Sequence, residues 1–149
     1  MPVLTGASSA VVDAPIERCW ALVQNVAAAP QWQHTLEAIN VVERDQHGRP
    51  VVCDTISDAK ITKVHCRVRF DYQPPRRLGW TQVQSEDLDS MEGSWELEDL
   101  GGGRTKVTYA LAVDPGPIGF LARQLERLIR PLVVGGRAEE LAHALATAS

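Results

Sequence analysis

Few side chains in this sequence combine a reactive type with a position that indicates catalysis. His47 lies in a predicted turn, His143 lies near the C-terminus and His65 lies on the charged side of a predicted strand, which favours solvent exposure for all three. His34 follows Trp32 at the end of a predicted short helix. An imidazole at such a position is a candidate general base or ligand donor, so we keep His34 as a catalytic candidate.

The sequence carries no motif for metal or phosphate chemistry. No histidine pair has metal-ligand spacing, and HExxH, CxxC and GxSxG motifs are absent. The run Gly101-Gly102-Gly103 lacks the Lys-Ser/Thr pair and the following helix of a phosphate loop. Glu96 and Glu98 alternate with apolar residues, which predicts that they face solvent. We therefore expect no cofactor and no bound metal.

Length and charge narrow the functional classes. The 149 residues are 44% apolar, which suits a single domain spanning residues 1–149. A net charge of −4 disfavours DNA binding through a broad basic face. No apolar run reaches the ~20 residues that span a bilayer, and Met1–Ser9 does not resemble a signal peptide, so we expect no integral membrane association. The cysteines Cys19, Cys53 and Cys66 are predicted to be reduced thiols in a cytoplasmic protein.

The periodicity of apolar residues changes along the chain from helical to strand-like. A short strand, Ser9–Val12, precedes a predicted helix, Ile16–Val26, and a second short helix beginning near Pro30. Asp45–Gly48 has the composition of a hairpin turn. The other predicted strands are Ile39–Glu43, Arg49–Ser57, Lys60–Tyr72, Leu78–Gln84, Leu88–Glu98 and Thr105–Val113.

The last third of the chain predicts one long helix against an antiparallel sheet. The helix would run from Ile118 to about Leu145, some 42 Å at about 1.5 Å per residue, with a kink at Pro131 and Gly135-Gly136. In the strand Lys60–Tyr72, apolar and charged residues alternate, as in a sheet with one solvated face. The element order β-α-α-β-β-β-β-β-β-α predicts an α+β fold with its helices on one face of the sheet.

Four local phrases, in this order, resemble those of the START/Bet-v-1-like (SRPBCC) helix-grip superfamily, in its polyketide cyclase/dehydrase and coenzyme Q-binding branch. They are Ala14-Pro15-Ile16-Glu17 with Trp20, Pro30-Gln31-Trp32, Gly93-Ser94-Trp95-Glu96-Leu97, and Gly102 to Tyr109. Cys19 stands where the family usually has Val. The resemblance covers nearly the whole chain. It implies a seven-stranded curved antiparallel sheet wrapped around the long C-terminal helix, with two short helices between the first two strands.

The resemblance also implies an apolar cavity between the sheet and the last helix. The strand and loop residues predicted to face a ligand there are Trp32, Val64, Cys66, Val68, Phe70, Trp80, Gln82, Trp95, Tyr109 and Leu111. The last helix would add Phe120, Leu121, Leu125, Leu128 and Leu132. The alternative is that these residues fill a solid core. Trp and Tyr are the stronger candidates, because each combines a large apolar face with a polar tip.

Three functions follow from the resemblance. The first is carriage or sequestration of a small hydrophobic ligand such as a lipid, an isoprenoid quinone or an aromatic polyketide. The second is an aromatase/cyclase-type enzyme with polyketide cyclase/dehydratase-like activity. Its candidate groups are Tyr109, His34, Gln82 and Arg69, although strand alternation points Arg69 outward.

The third function is binding to a partner such as the ribosome or a respiratory complex. Its surface would be a basic edge on the last helix formed by Arg123, Arg127 and Arg130, with Arg137 beyond the kink. We interpret this edge first as an ordinary solvated face. The sequence leaves the oligomeric state open between a monomer and a homodimer.

Overall fold

The computed structural model describes residues 4–58, 63–116, 127 and 136–147, and all structural statements concern these residues. The strands are β1 (Leu4–Val12), β2 (Leu36–Arg44), β3 (Pro50–Asp58), β4 (Lys63–Gln73), β5 (Arg77–Gln84), β6 (Ser90–Gly101) and β7 (Arg104–Asp114). The helices are α1 (Ile16–Gln24), a 3₁₀ helix (Val26–Gln31) and α2 (Arg137–Thr147). Their order along the chain confirms the predicted α+β arrangement.

The strands form one curved antiparallel sheet in the order β1-β7-β6-β5-β4-β3-β2. The first strand pairs with the last, and the remaining strands pair with their neighbours in the chain. The register brings alternate residues of every strand onto a common face. One such row crosses five strands and consists of Ser8, Tyr109, Trp95, Leu78 and Tyr72. We call the side that carries this row the inner face.

The described helices pack on one part of the inner face. Helix α1 contacts β6 and β7, whereas α2 contacts β1, β7 and α1. Buried apolar residues of both helices, among them Cys19, Trp20 and Leu141, join the inner-face residues of the sheet in one cluster. Burial of this kind contributes roughly 25 cal/mol per Å² of apolar surface, so the cluster supplies the main stabilisation of the helix–sheet contact.

Two hydrogen bonds, one buried and one partly buried, attach α1 to its neighbours. The Thr105 hydroxyl donates to the Ala14 carbonyl oxygen at 2.7 Å, which joins the start of α1 to β7. The Arg18 guanidinium donates to the Leu145 carbonyl oxygen at 2.8 Å, near the end of α2. A carbonyl close to a helix C-terminus lacks an intrahelical donor, so an arginine from a neighbouring helix satisfies it.

The structure corrects two predicted elements. The first strand begins at Leu4 rather than Ser9, because β1 pairs with β7 along its whole length, from the Leu4–Val113 pair to the Val12–Thr105 pair. The second short helix is a 3₁₀ helix that begins at Val26 and contains Pro30. Proline has no amide proton to donate, so a short 3₁₀ segment accommodates it more easily than the interior of an α-helix.

The predicted turns are confirmed. Gly48 has φ 80°, as the hairpin between β2 and β3 requires. The Asp45 carboxylate closes this turn by accepting hydrogen bonds from the amides of His47 and Arg49 at 2.9 and 3.0 Å. The triple glycine also turns the chain through positive φ values of 79°, 64° and 76° between β6 and β7.

The prediction of a final helix is confirmed over Arg137–Thr147, and its predicted length of about 42 Å stays a prediction. Its predicted start at Ile118 and its kink at Pro131 and Gly135 lie outside the described residues. Within the described part of the chain, no helix has the length and apolar character that crossing a membrane requires.

We predict that α2 anchors the fold through Leu141. Leu141 is fully buried, so Leu141→Ala should lower the free energy of unfolding by about 2–5 kcal/mol through lost contacts and a residual cavity. The matched control is Leu100→Ala in β6, because Leu100 is 46% exposed and should change stability by at most about 0.5 kcal/mol. Denaturant unfolding of both variants measures the difference. Equal effects would contradict this account of the core.

Candidate functional site

Six aromatic side chains form a continuous row over the inner face. In spatial order they are Trp32, Trp95, Tyr109, Trp80, Phe70 and Tyr72, with successive ring centroids 5.0–6.4 Å apart. All five contacts are tilted, which is the favourable geometry for aromatic rings. The row places most of the aromatic surface of the chain on one side of the sheet.

The sheet register produces this row. Trp95 lies opposite Tyr109, and Phe70 lies opposite Trp80. Trp80 in turn lies opposite Gly93, whose missing side chain leaves room for the indole. A Cβ atom on Gly93 would lie 2.5 Å from the Trp80 ring, so this glycine permits the ring to rest directly on the backbone of β6.

Burial changes along the row. Trp32, Trp95 and Tyr109 are buried where α1 and α2 cover the sheet. Trp80 and Phe70 are only half-buried. Both belong to a second apolar cluster, which is built from the strands and the β5–β6 loop. The described helices contribute no buried residue to it. Its buried members are Cys66, Val68, Leu88 and Val113, and its partly buried members are Val64, Phe70, Trp80, Met91 and Leu111. This second cluster is the candidate ligand-binding surface.

The polar groups within the candidate surface bond to one another. The Cys66 thiol donates to the Gln82 side-chain oxygen at 3.4 Å, and the Gln82 amide donates to the Leu88 carbonyl oxygen at 3.0 Å. Burial raises the pKa of the Cys66 thiol. The thiol is therefore protonated at neutral pH and a poor nucleophile. These contacts hold the β5–β6 loop at the rim of the apolar surface.

An ion pair lies at the other end of the aromatic row. Arg137 in α2 is only 5% exposed, and its guanidinium lies 5.6 Å above the centre of the Tyr109 ring. It donates to the Glu140 carboxylate at 2.6 Å and to the Thr35 hydroxyl at 2.8 Å. Glu140 also accepts a hydrogen bond from the His34 backbone amide at 2.8 Å. The pair thus ties α2 to the connector between the 3₁₀ helix and β2.

The burial of Arg137 corrects the prediction of a solvated basic edge. Arg137 and Glu140 have the i, i+3 spacing of a helical ion pair, so the sequence contained this signal, but nothing local showed that the pair is buried. Arg127 is exposed, as predicted. Arg123 and Arg130 lie outside the described residues.

The predicted catalytic candidates do not converge on one point. The His34 side chain is 77% exposed; its ring nitrogen lies 3.0 Å from Glu140, so it is connected to Tyr109 through the ion pair. Arg69 is exposed on the outer face, where it lines an open groove of about 640 Å³. Burial raises the pKa of the Tyr109 phenol, although the nearby Arg137 charge opposes this effect. A phenol of this kind is a weak proton donor at neutral pH.

The structure brings most of the predicted ligand-facing residues onto the inner face. The members there are Val64, Cys66, Val68, Phe70, Trp80, Gln82, Trp95, Tyr109 and Leu111, and Trp32 joins them through Trp95. Phe120, Leu121, Leu125, Leu128 and Leu132 lie outside the described residues. The described residues include no group of three or more His, Cys, Asp or Glu side chains placed to hold a metal ion. Four residues of the site were not predicted as such: Ser8, Thr35, Arg137 and Glu140.

Comparison with known proteins gives a family and a fold. A family model described as polyketide cyclase/dehydrase and lipid transport matches residues 5–149. A comparison of the sequence with curated proteins gave no match.

Several solved structures are similar to this chain. A START superfamily protein from Mycobacterium smegmatis is 17% identical over 97% of this chain and 99% of its own, with a TM-score of 0.81. The Zhui aromatase/cyclase from Streptomyces sp. R1128 is 16% identical over 97% and 94% of the two chains, with a TM-score of 0.77. A protein from Thermus thermophilus is 20% identical over 97% and 99%, with a TM-score of 0.77. At these identities the similarity shows the fold, which confirms the predicted helix-grip architecture.

We predict that neither tyrosine ionises at its usual pH in the native protein. The chain has two tyrosines, and burial raises the pKa of both Tyr72 and Tyr109. Unfolded phenols ionise near pH 10, about the ordinary value. Above that pH the unfolded state loses protons that the native state keeps, so the free energy of unfolding should fall as pH rises. Phenolate absorbance should increase near pH 10 in denaturant and at higher pH in the native protein.

Tyr109→Phe provides the comparison for this titration. It should make the fall of stability with pH less steep, because one of the two phenols that stay protonated in the native state is removed. A native phenol that titrates at its usual pH would contradict the prediction.

We also predict that the charge of Glu140 depends on Arg137. Arg137→Met leaves a nearly buried carboxylate without its cation and should lower the free energy of unfolding by about 3–5 kcal/mol. Adding Glu140→Gln removes the stranded charge and should recover more than half of this loss. The control is Arg67→Met, because Arg67 and Asp54 form an exposed pair whose loss should leave stability nearly unchanged. A double-mutant cycle by denaturant unfolding measures the coupling, and strictly additive effects would contradict it.

Proposed function

We propose that this chain, which belongs to the polyketide cyclase/dehydrase and lipid transport family, binds a small hydrophobic molecule on the inner face of its sheet. In this proposal the chain carries or sequesters its ligand. The ligand class is a lipid, an isoprenoid quinone or an aromatic polyketide, and the contact surface is the half-buried end of the aromatic row.

The observation that carries the proposal is the incomplete burial of apolar side chains that point inward. Protein cores are close-packed, and large side chains at inward positions are normally fully buried. Trp80, Phe70 and Leu111 point inward and are nevertheless only half-buried. Covering about 300 Å² of such surface would contribute on the order of 7 kcal/mol, from which ordering costs must be subtracted. A dissociation constant on the order of tens of micromolar or weaker is therefore expected for a well-fitting apolar ligand.

The chemistry of the described residues favours a carrier over a cyclase. A cyclase needs an acid or base positioned beside its apolar surface. His34 lies at the protein surface, Gln82 is engaged by Cys66 and Leu88, and Tyr109 is a weak acid. The similarity to an aromatase/cyclase concerns the fold, and a fold alone does not determine activity. Sustained turnover of a polyketide substrate would favour the enzyme instead.

Two further features support a cytoplasmic location and argue against partner binding as the function. Cys19, Cys53 and Cys66 are all buried and unpaired, as is usual in a reducing compartment. The basic edge proposed for a ribosomal or respiratory partner loses Arg137, which is buried. We therefore place the function inside the protein and not on its surface.

We expect the neutral fluorescent probe N-phenylnaphthylamine to bind at the half-buried surface with a dissociation constant on the order of tens of micromolar. Trp80→Ala removes an aromatic contact and should weaken binding roughly tenfold, since such contacts contribute about 0.5–1.5 kcal/mol beyond their buried area. The control is Val83→Ala in the same strand, because Val83 is 52% exposed on the outer face and should leave affinity unchanged. Fluorescence titration gives the dissociation constants, and thermal melting confirms that both variants fold.

Native mass spectrometry of protein purified from its own host complements this titration. A retained hydrophobic molecule would support the proposal. Absent probe binding, together with an unchanged melting temperature across lipids, quinones and polyketides, would refute it.

A further inference from the structure

The two edges of the sheet differ in how they are protected. Strand β1 forms one edge and β2 forms the other. An edge strand presents a row of unpaired amide and carbonyl groups, and natural proteins usually block that row with charged residues, proline or β-bulges. Strand β2 follows this rule, since it contains Glu37, Glu43 and Arg44 and its pairing with β3 shifts register three times.

Strand β1 has none of these protective features. Its nine residues, Leu4–Val12, include no charged side chain and no proline. Its pairing with β7 runs through nine consecutive residue pairs without a register shift, so the strand is regular along its whole length. Among the described residues, only those of β7 form hydrogen bonds with the β1 backbone. Within this part of the chain, the other side of β1 therefore has no strand beside it.

The side chains of β1 also leave room for a further strand. On the outer face the exposed residues are Thr5, Ala7, Ser9 and Val11. On the inner face Gly6 and Ala10 stay partly exposed, although α2 contacts this strand. Neighbouring strands lie about 4.8 Å apart, and small side chains such as these do not hinder so close an approach.

The partner that fits this edge is a second copy of the chain. Two identical strands can pair antiparallel about a two-fold axis, which gives both copies the same interface. An axis perpendicular to the sheet beside Ser8 would bring all nine residues of both strands opposite one another. Because alternate pairs exchange two bonds each, about eight to ten backbone hydrogen bonds would form. We infer that this chain forms a symmetric dimer through β1–β1 pairing, which joins the two sheets into one.

Self-pairing of β1 meets no electrostatic barrier and ends with the dimer. Asp13, directly after β1, is 93% exposed and lies 3.4 Å from Arg104. Pairing about Ser8 keeps the two copies of Asp13 on the order of 30 Å apart, at about 3.4 Å per residue. Both free edges of the joined sheet would then be β2 strands, whose charges and register shifts oppose further addition. The assembly is therefore closed and does not extend into a filament.

Sedimentation equilibrium over a wide range of protein concentrations tests the inference. The mass should rise from the 16.3 kDa of one chain towards twice that value as concentration increases. Amide hydrogen exchange on the same samples locates the interface. Exchange should slow in β1 as the dimer forms and stay unchanged in β2. A protein that remains monomeric near millimolar concentration, or a dimer that protects another element and not β1, would overturn the inference.

Opposite charges introduced at Ala7 test the antiparallel pairing. Ala7 is exposed on the outer face and would lie diagonally across the axis from its own copy, within reach of a long side chain. Ala7→Lys or Ala7→Glu alone should weaken dimerisation at least tenfold, because like charges oppose each other. An equimolar mixture of the two variants should dimerise again. The control is Val42→Lys in β2, where Val42 is 44% exposed, and it should leave dimerisation unchanged.

The outcomes of the charge experiment are independent of ligand binding. Unchanged dimerisation of both Ala7 variants would overturn pairing through β1, and a loss that mixing does not restore would overturn the antiparallel register. Thermal melting checks that each variant folds. Should one fail to fold, hydrogen exchange in the parent protein still decides. Failure of N-phenylnaphthylamine to bind would refute the carrier proposal and leave this inference standing.

Discussion

Burial of the inner face of a curved sheet is the interaction on which the rest of this structure depends. Helices α1 and α2 cover the part formed by β1, β7 and β6, where Trp95, Val107 and Leu141 are almost completely buried. The part formed by β4 and β5 keeps Trp80 and Phe70 half-buried. The same sheet therefore supplies a stable core at one end and an apolar contact surface at the other, and the aromatic row joins them.

The elements that the sequence predicts best are those whose own residues determine them. Strand β4 alternates apolar and charged side chains, so its extent and its inner face follow from a local pattern. The start of β1 does not, since Leu4–Ser8 contains mainly small and polar residues and becomes a strand through pairing with β7. The local sequence also does not predict the extent of the 3₁₀ helix. In the sequence Pro30 indicates the boundary of a helix, whereas in the structure it lies inside the 3₁₀ segment.

The residues of the candidate site also differ in whether the local sequence predicts them. Trp80, Trp95 and Tyr109 could be predicted, because a large aromatic residue on the apolar face of a strand normally packs against the other apolar residues of that face. Arg137 could not, because a basic residue beside an acidic one on a helix normally indicates a solvated ion pair. One of its hydrogen-bond partners is Thr35, which is 102 residues away in the chain and belongs to no recognisable motif. Ser8 was missed for the related reason that only its pairing with Tyr109 places it at the site.

The Arg137–Glu140 pair is difficult to explain by stability alone. Desolvation of two charges offsets much of their attraction. Well-packed apolar residues at the same buried positions often give equal or greater stability. The pair nevertheless bonds to Thr35 and to the His34 amide, both within three residues of Trp32. These bonds fix the connector after the 3₁₀ helix against α2, and so fix the position of the Trp32 indole relative to Tyr109. A pair of leucines would fill the same space but would not define that position. We therefore attribute the buried charge pair to positional specificity at the polar end of the aromatic row.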